Sequence, residues 1–392
     1  MRTGGHSVKY CKNCVEPDTR PGQVFTEDGL CTPCAYSLSY DAAEWDRRRA
    51  ELAKIVEWAK SRRSPMGYDC IVGVSGGKDS TRLAYFAREV GMNPLLVSFV
   101  YPPMQQTDLG ACNLTNLIHK GFDVITVQPS PEVFRRAIKH SFVKLGNWVN
   151  PSDLALYASI PRTALQNNIP LACAGENPFV TVGSGSGSRD GDATNVVSMN
   201  TLRGGDISPY LDDYNTEEKM FLFRFPEKER ILKNDLKLIY LGYYIEDYDQ
   251  ENNARFAVER GMKVREGKDA DPARTGFLHN HTMLDEDFVI VNQFVKYLKL
   301  GFGQTAQQVA LDIRAGRLTR DEGIELCRKF DGKCDIDYIR RFCKFVDMPE
   351  EEFWDLVEGF RNRDIWEIRD NNWHLKEKLE TSWEMAQRLD SA

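Results

Sequence analysis

A doubly wound α/β domain on a parallel sheet is the fold class this sequence predicts, and three observations predict it. Short continuous apolar runs alternate with helical periods from Tyr68 to Ala174, the pattern of a parallel sheet covered on both faces. A glycine-rich turn, Ser75-Gly76-Gly77-Lys78-Asp79-Ser80, follows the first of those runs directly. The flanks differ in character: two Cys-x-x-Cys pairs come before the alternation, and helical periods dominate after it. The expected division is therefore 1–45 as a cysteine knuckle, 46–250 as the α/β domain and 251–392 as a mainly helical C-terminal region.

The knuckle comes first in the chain. Cys11-Lys-Asn-Cys14 and Cys31-Thr-Pro-Cys34 are separated by sixteen residues, the spacing of a zinc ribbon. Each pair makes a tight turn that presents two thiolates, and four thiolates complete a tetrahedral site suited to Zn²⁺. With every position filled by protein, the expected role is structural. The residues between hold turn formers (Pro17, Pro21, Gly22, Asp28, Gly29) and an expected short strand at Val24-Phe25-Thr26. Cys70, Cys112, Cys173, Cys327, Cys334 and Cys343 stand singly. The N-terminus has no apolar core of a secretory signal, so a cytoplasmic location without disulfides is expected. No apolar stretch approaches the roughly 20 residues of a membrane span.

A connecting helix is expected over about 42–59, with Trp45, Leu52, Ile55, Val56 and Trp58 at helical spacing. Tyr68 to Val74 reads as a buried strand, and Leu83, Ala84, Phe86, Ala87 and Val90 mark a helix after the glycine turn. Strands follow at Pro94–Val100, Asp123–Val127 and Ile169–Ala174, with helices at Thr107–Lys120, Pro131–Leu145 and Asp153–Gln166. A glycine turn between strand and helix lets backbone N–H groups approach phosphate oxygens, and the helix start adds about half a positive charge. Lys78 adds a full one, and Ser75 and Ser80 add hydroxyl donors. The spacing is neither that of the mononucleotide P-loop nor G-x-G-x-x-G.

Ser-Gly-Gly-Lys-Asp-Ser resembles the PP-loop of the ATP pyrophosphatase family. The resemblance implies cleavage of ATP between its α- and β-phosphates, with Lys78 and Asp79 as catalytic residues and Mg²⁺ beside the phosphates. Ligands of such sheets bind at the carboxyl ends of the strands. ATP is therefore expected between Ser75, Gly76, Gly77, Lys78, Asp79 and Ser80, Val100 at the end of the second strand, and Gly175-Glu176 after the fourth. Glu176 is a candidate for Mg²⁺ or the ribose, or a solvated strand-end carboxylate.

The segment Thr181–Asp206 alternates glycine with small and polar residues between Gly183 and Gly191. It reads as a substrate lid or a plain surface loop, with Arg189, Asp192 and Arg203 able to face a ligand. Phe221–Lys237 alternates basic and apolar residues. Ile239–Ile245 reads as a last strand or an inner turn, and Glu251–Arg260 as a helix. His279-Asn-His281 has the form of a metal pair but no third ligand at a recognisable spacing, so hydrogen-bonded histidines are expected. Beyond Asp285 the periods are helical. Thr319-Arg-Asp-Glu322 forms a capping box, and helices are expected at Asp335–Val346, Glu350–Arg361 and Asn372–Leu389.

Two words of that region, Gly301-Phe-Gly-Gln304 and Asp312-Ile-Arg-Ala-Gly-Arg-Leu-Thr-Arg-Asp-Glu-Gly323, together with the cysteine knuckle and the PP-loop, resemble the N-acetyl sugar amidotransferase family. The resemblance runs nearly the whole chain. It implies a role in bacterial surface-polysaccharide biosynthesis of the O-antigen type: conversion of an acetamido group of a nucleotide-activated sugar into an acetamidino group, with ammonia supplied by a partner glutamine amidotransferase. A PP-loop tRNA thiolase and a non-catalytic nucleotide-binding scaffold are the alternatives. The formal charge is −7, and residues 301–392 net −5, a balance opposed to a nucleic-acid surface.

Overall fold

The computed structural model describes residues 8–39, 42–183, 189–382, 384 and 387. Its elements in chain order are α1 (Thr32–Ser37), α2 (Ala42–Ser61), β1 (Cys70–Gly73), α3 (Lys78–Glu89), β2 (Pro94–Phe99), α4 (Asp108–His119), β3 (Val124–Val127), α5 (Pro131–Leu145), α6 (Val149–Gln166), β4 (Leu171–Ala174), α7 (Pro178–Val182), α8 (Lys228–Lys233), β5 (Lys237–Tyr240), α9 (Gln250–Glu259), α10 (Pro272–Thr275), α11 (Phe288–Leu300), α12 (Gln304–Arg314), α13 (Arg320–Phe330), α14 (Ile336–Val346), α15 (Glu350–Phe360), β6 (Trp366–Arg369) and β7 (Asn372–Leu375). They form two units. The sheet unit holds 39–265 and 281–287; the cysteine unit holds the stretch through Leu38, Glu266–Asn280 and Phe288 onward.

In the sheet unit five parallel strands lie in the order β3-β2-β1-β4-β5. β2 and β4 are buried at every position, which is why they read as unbroken apolar runs. The chain steps from β1 through β2 to β3 on one side and returns to β4 on the other. The β1–β4 boundary is therefore the switch point where such sheets bind ligands, and the glycine turn leaves β1 there. Helix α6 lies across β1, β2 and β4. A Cβ on Gly73 would come within 2.6 Å of Ile160, so the glycine admits this close packing. The turn at 167–170 delivers α6 into β4, so α6 runs antiparallel to the strands. Its first turn thus lies at the carboxyl edge of the sheet.

Two readings of this unit change. The 191–206 stretch is folded and not a bare loop. Ala193, Val196 and Leu202 are buried, and Asp192 bridges Ile239 beside β5. A Cβ on Gly191 would collide with the Tyr244 hydroxyl at 2.2 Å, so glycine is required there for packing. Residues 184–188 of the expected lid lie outside the described residues. The last strand is β5, followed by a 3₁₀ turn at Leu241–Tyr244.

In the cysteine unit α11 packs on α14 and α15, and α12 on α13. The capping box at Thr319 and Glu322 forms as expected. The N-terminal cysteines share one core with Phe302, Ala306, Val309, Ala310 and Ile324 of the α12–α13 pair. The cysteine stretch has too little apolar area to fold alone, and it takes its core from these helices. The grouping therefore differs from three consecutive pieces, since the chain ends on either side of the sheet unit come together. Val24-Phe25-Thr26 is not a strand, and contributes one bridge between Phe25 and Cys31. The helix expected at Asn372–Leu389 is replaced over its first part by a hairpin of β6 and β7. Asp370 and Asn371 connect the strands with φ of 49° and 60°, the left-handed pair that a tight hairpin turn needs. Trp366 anchors the hairpin, its indole N–H donating to the Leu298 carbonyl at 2.8 Å. No described helix is long and apolar enough to cross a membrane.

Candidate active site

The glycine turn folds on itself before any ligand arrives. Ser75 N–H donates to Ser80 Oγ at 3.3 Å, Gly77 N–H to Ser75 Oγ at 3.4 Å, and Ser80 Oγ to the Gly77 carbonyl at 3.1 Å. Gly76 has φ +84°, and a Cβ there would stand 2.6 Å from the Leu114 amide nitrogen. Glycine is required for both conformation and space. Gly77 opens α3 with no side-chain cap, which leaves the first-turn N–H groups available for an anion. Lys78 Nζ lies 2.7 Å from Asp79 Oδ2, and Asn253 of α9 donates to Asp79 Oδ1 at 2.9 Å. Both carboxylate oxygens of Asp79 are thus oriented before substrate binds. The donors suit a triphosphate. Asp79 and Glu176 carry carboxylate oxygens, the hard donors that a Mg²⁺ ion would prefer.

Asn253 is almost wholly buried, and a hydrogen bond to a charged group is worth about 1.5–3 kcal/mol. Asp79 is partly exposed, so solvent screening reduces that figure. If the loop works on ATP, Asn253→Ala is expected to lower turnover roughly tenfold, about 1.4 kcal/mol, with only a modest fall in the unfolding midpoint of the sheet unit. Steady-state rates alongside a denaturant titration check this.

The wall opposite the loop is acidic and aromatic. Glu176, just past β4, is exposed on its accessible surface. The protein packed around it and the nearby Asp79 charge raise its carboxyl above the ordinary value, while Lys78 pulls the other way. Asp153, in the first turns of α6, is pushed up to about 7 by burial, opposed by Thr201 and reinforced by Glu176. Tyr157 one turn further on, Tyr101 after β2 and Tyr248 all have phenols held well above 10, first by burial and then by nearby carboxylates: Glu176 and Asp153 for Tyr157, Asp285, Glu286 and Asp153 for Tyr101, and Asp79 and Glu176 for Tyr248. The Tyr248 hydroxyl and the Asn253 Oδ1 have no hydrogen-bond partner among the described residues.

Each expected site residue can now be placed. Ser75 to Ser80 form the loop, and Glu176 stands on the same carboxyl edge. Val100 is tied into the sheet, its N–H donating to the Val127 carbonyl at 3.0 Å, and the Gly175 carbonyl accepts from Gly242 at 3.3 Å. Arg189 and Arg203 are exposed; the Arg189 guanidinium lies over the Phe179 ring at 5.6 Å. Asn253, Asp153 and Tyr248 escape sequence reading because nothing local marks them. His279 is hydrogen-bonded to Asp312, and His281 to Glu251, each at 2.8 Å and each pair within its own unit.

In the cysteine unit Cys11, Cys14, Cys31 and Cys34 are fully buried with their sulfurs within 4.8 Å of one another. A Zn–S bond of about 2.3 Å places tetrahedral sulfurs about 3.8 Å apart; Cys14 and Cys31 are 3.7 Å apart. The Cys31 and Glu16 N–H groups point at the Cys11 and Cys14 sulfurs, at 3.2 and 3.4 Å. Such donors spread the charge of bound thiolates. Arg320 donates to the Cys14 carbonyl at 3.1 Å and pins the first knuckle to α13. The donor set and spacing fit zinc.

Residues 275–380 match the model of a family described as the C-terminal domain of WbpG-like LPS biosynthesis proteins. No curated protein matches the chain. Among solved structures, a predicted subunit of a tRNA methyltransferase from Methanocaldococcus jannaschii aligns with 58% of this chain and 86% of its own. Its identity is 14% and its TM-score 0.29, a likeness too slight to bear on function. The resemblance carried by the words in 301–323 is borne out at the level of the matched domain.

Proposed function

Starting from the match of residues 275–380 to the C-terminal domain of WbpG-like LPS biosynthesis proteins, we propose that this chain is an ATP-dependent amidotransferase of surface-polysaccharide biosynthesis. It adenylates the acetamido oxygen of a nucleotide-activated sugar and exchanges that oxygen for nitrogen. The observation that carries this reading is the pre-formed PP-loop at the switch point, with Asp79 held between Lys78 and Asn253, in the same chain as the matched domain.

An amide carbonyl is a poor electrophile, and adenylation turns its oxygen into a leaving group. The first-turn amides of α3 and Lys78 neutralise the departing pyrophosphate where charge develops. Mg²⁺ bound by Asp79 and Glu176 would supply further neutralisation. The adenylate must be kept from bulk water until nitrogen arrives. Ammonia then attacks the carbon, AMP leaves and an amidine remains. No glutaminase element is recognised in the sequence, so a glutamine amidotransferase partner is the proposed ammonia source. A thiolase reading needs accessible sulfur-relay cysteines. Cys112 on α4 is exposed but stands singly, while Cys70 and Cys173 adjoin but are both fully buried within the sheet.

The test is an assay of acetamido sugars linked to each of the common nucleotide carriers with ATP, Mg²⁺ and ammonium chloride. The expected products are AMP, pyrophosphate and a sugar lighter by one mass unit, oxygen being replaced by NH. Glutamine should serve only when the partner protein is added. Turnover from glutamine by this chain alone would overturn the partner assignment.

A further inference from the structure

We propose that Asp153 is the base that takes the proton from the incoming nitrogen, and that the α6 face carrying Asn150, Asp153 and Tyr157 receives the acetamido group. The proposal rests on the amidotransferase reading above and adds the residues for its second half-reaction.

Topology places Asp153 correctly. Because α6 runs antiparallel to the strands, its first turns lie at the carboxyl edge, where β1 releases the PP-loop and β4 releases Glu176. Asn150, Asp153 and Tyr157 are spaced i, i+3, i+7 and share one helix face. Glu176 links the two halves of the site. It feels Asp79 and Lys78 on the phosphate side, while Asp153 and Tyr157 both feel Glu176 from the other.

A second observation points to a ligand on that face. Asn150 is 4% exposed, and its Oδ1 has no hydrogen-bond partner among the described residues. A buried amide oxygen without a donor costs about 1–3 kcal/mol, a cost that an amide or amine N–H from a bound acceptor removes. The Tyr248 hydroxyl is likewise unpartnered and is influenced by both Glu176 and Tyr157. The groups facing Asp153 are Tyr157 on its own helix, Glu176 after β4, Tyr101 after β2, and Thr201 and Tyr210 from the 201–210 segment. No cation pairs with it among the described ion pairs. With its carboxyl pushed up to about 7, Asp153 is suited to accept a proton at neutral pH and release it again.

The step balances. The acetamido oxygen bonds to the α-phosphorus of ATP, and the bond to pyrophosphate breaks. The nitrogen lone pair of ammonia then forms the C–N bond while the C=N π pair of the adenylated amide moves onto the sugar nitrogen, leaving a positive charge on the incoming nitrogen. One of its protons passes to the Asp153 carboxylate. The C–O bond breaks, its electron pair leaves with AMP, and the amidinium remains.

The experiment separates the half-reactions. The wild-type chain, Asp153→Asn and Asp153→Glu are compared with whichever nucleotide-linked acetamido sugar supports AMP release. Pyrophosphate–ATP exchange without a nitrogen source reads adenylation; amidine formation with ammonium chloride reads transfer. Asp153→Asn should lose transfer by about a hundredfold more than it loses exchange. Hydroxylamine, whose conjugate acid is far stronger than ammonium, should restore transfer by tenfold or more. Asp153→Glu should retain partial transfer with a shifted pH profile, and it carries the test if the Asn variant does not fold. Parallel loss of exchange and transfer, or transfer unchanged in either variant, overturns the proposal. If no acetamido sugar yields AMP with the wild type, the function reading itself fails.

Discussion

Lys78→Ala is expected to slow AMP formation by a hundredfold to a thousandfold, about 3–4 kcal/mol, the scale of removing one pre-organised donor from a developing charge. Two effects act in the same direction. The substitution removes the one side-chain cation of the loop, and it also strips a partner from Asp79, whose Oδ2 lies 2.7 Å from Lys78 Nζ. What is left beside the phosphates is Asp79, held only by Asn253, together with Glu176. The site changes from attracting a triphosphate to repelling one. The first-turn amides of α3 remain, so residual activity is expected rather than none. Lys78→Arg keeps the charge but not the compact ammonium, and should recover only part of the loss. Chromatography of the nucleotide products measures this. ADP in place of AMP from the wild type would remove the PP-loop reading altogether.

The parts of this site that were legible in the sequence are those built by contiguous residues. Buried parallel strands show as unbroken apolar runs, and the turn from β1 into α3 needs glycine at Gly76 for reasons local to the chain. Asn253 lies 174 positions from the carboxylate it orients, and only the packing of α9 on α3 brings the two together. Asp153 sat within a helical period where a charged residue reads as solvated. The direction of α6 against the sheet gives it meaning. The β6–β7 hairpin is a different case. Its signal is present, since Trp366-Glu-Ile-Arg369 and Asn372-Trp-His-Leu375 alternate about Asp370-Asn371, but the helix expected from Asn372 to Leu389 takes in β7 and leaves β6 without an assignment. The 191–206 stretch misleads through composition: its glycines suggest freedom, while Gly191 is glycine because Tyr244 leaves no room for a side chain.

Replacing Cys11 and Cys31 together by serine should abolish zinc binding and unfold the N-terminal stretch from the cysteine unit. Zinc is expected at one ion per chain in the wild type by elemental analysis. Structural zinc sites contribute apparent binding energies of about 10–16 kcal/mol, comparable to the roughly 5–15 kcal/mol stability of a whole domain. The loss is therefore expected to reach beyond the knuckle. The four cysteines and Val15 cover Phe302, Val309, Ala310 and Ile324, and releasing them opens that side of α12 and α13 to water. Faster amide exchange in these two helices, with a lower Tm, is the expected signature; α14 and α15, which pack on α11, should change least. Acid should act in the same sense. The sulfurs bind metal only as thiolates, so binding releases protons and affinity falls as pH falls. A strong chelator at pH 6 should thus remove the ion faster than at pH 8. Full zinc occupancy in the double variant would show that the cysteines are not its ligands. An unchanged Tm after loss of zinc would show that the shared core of knuckle and helices holds without the metal.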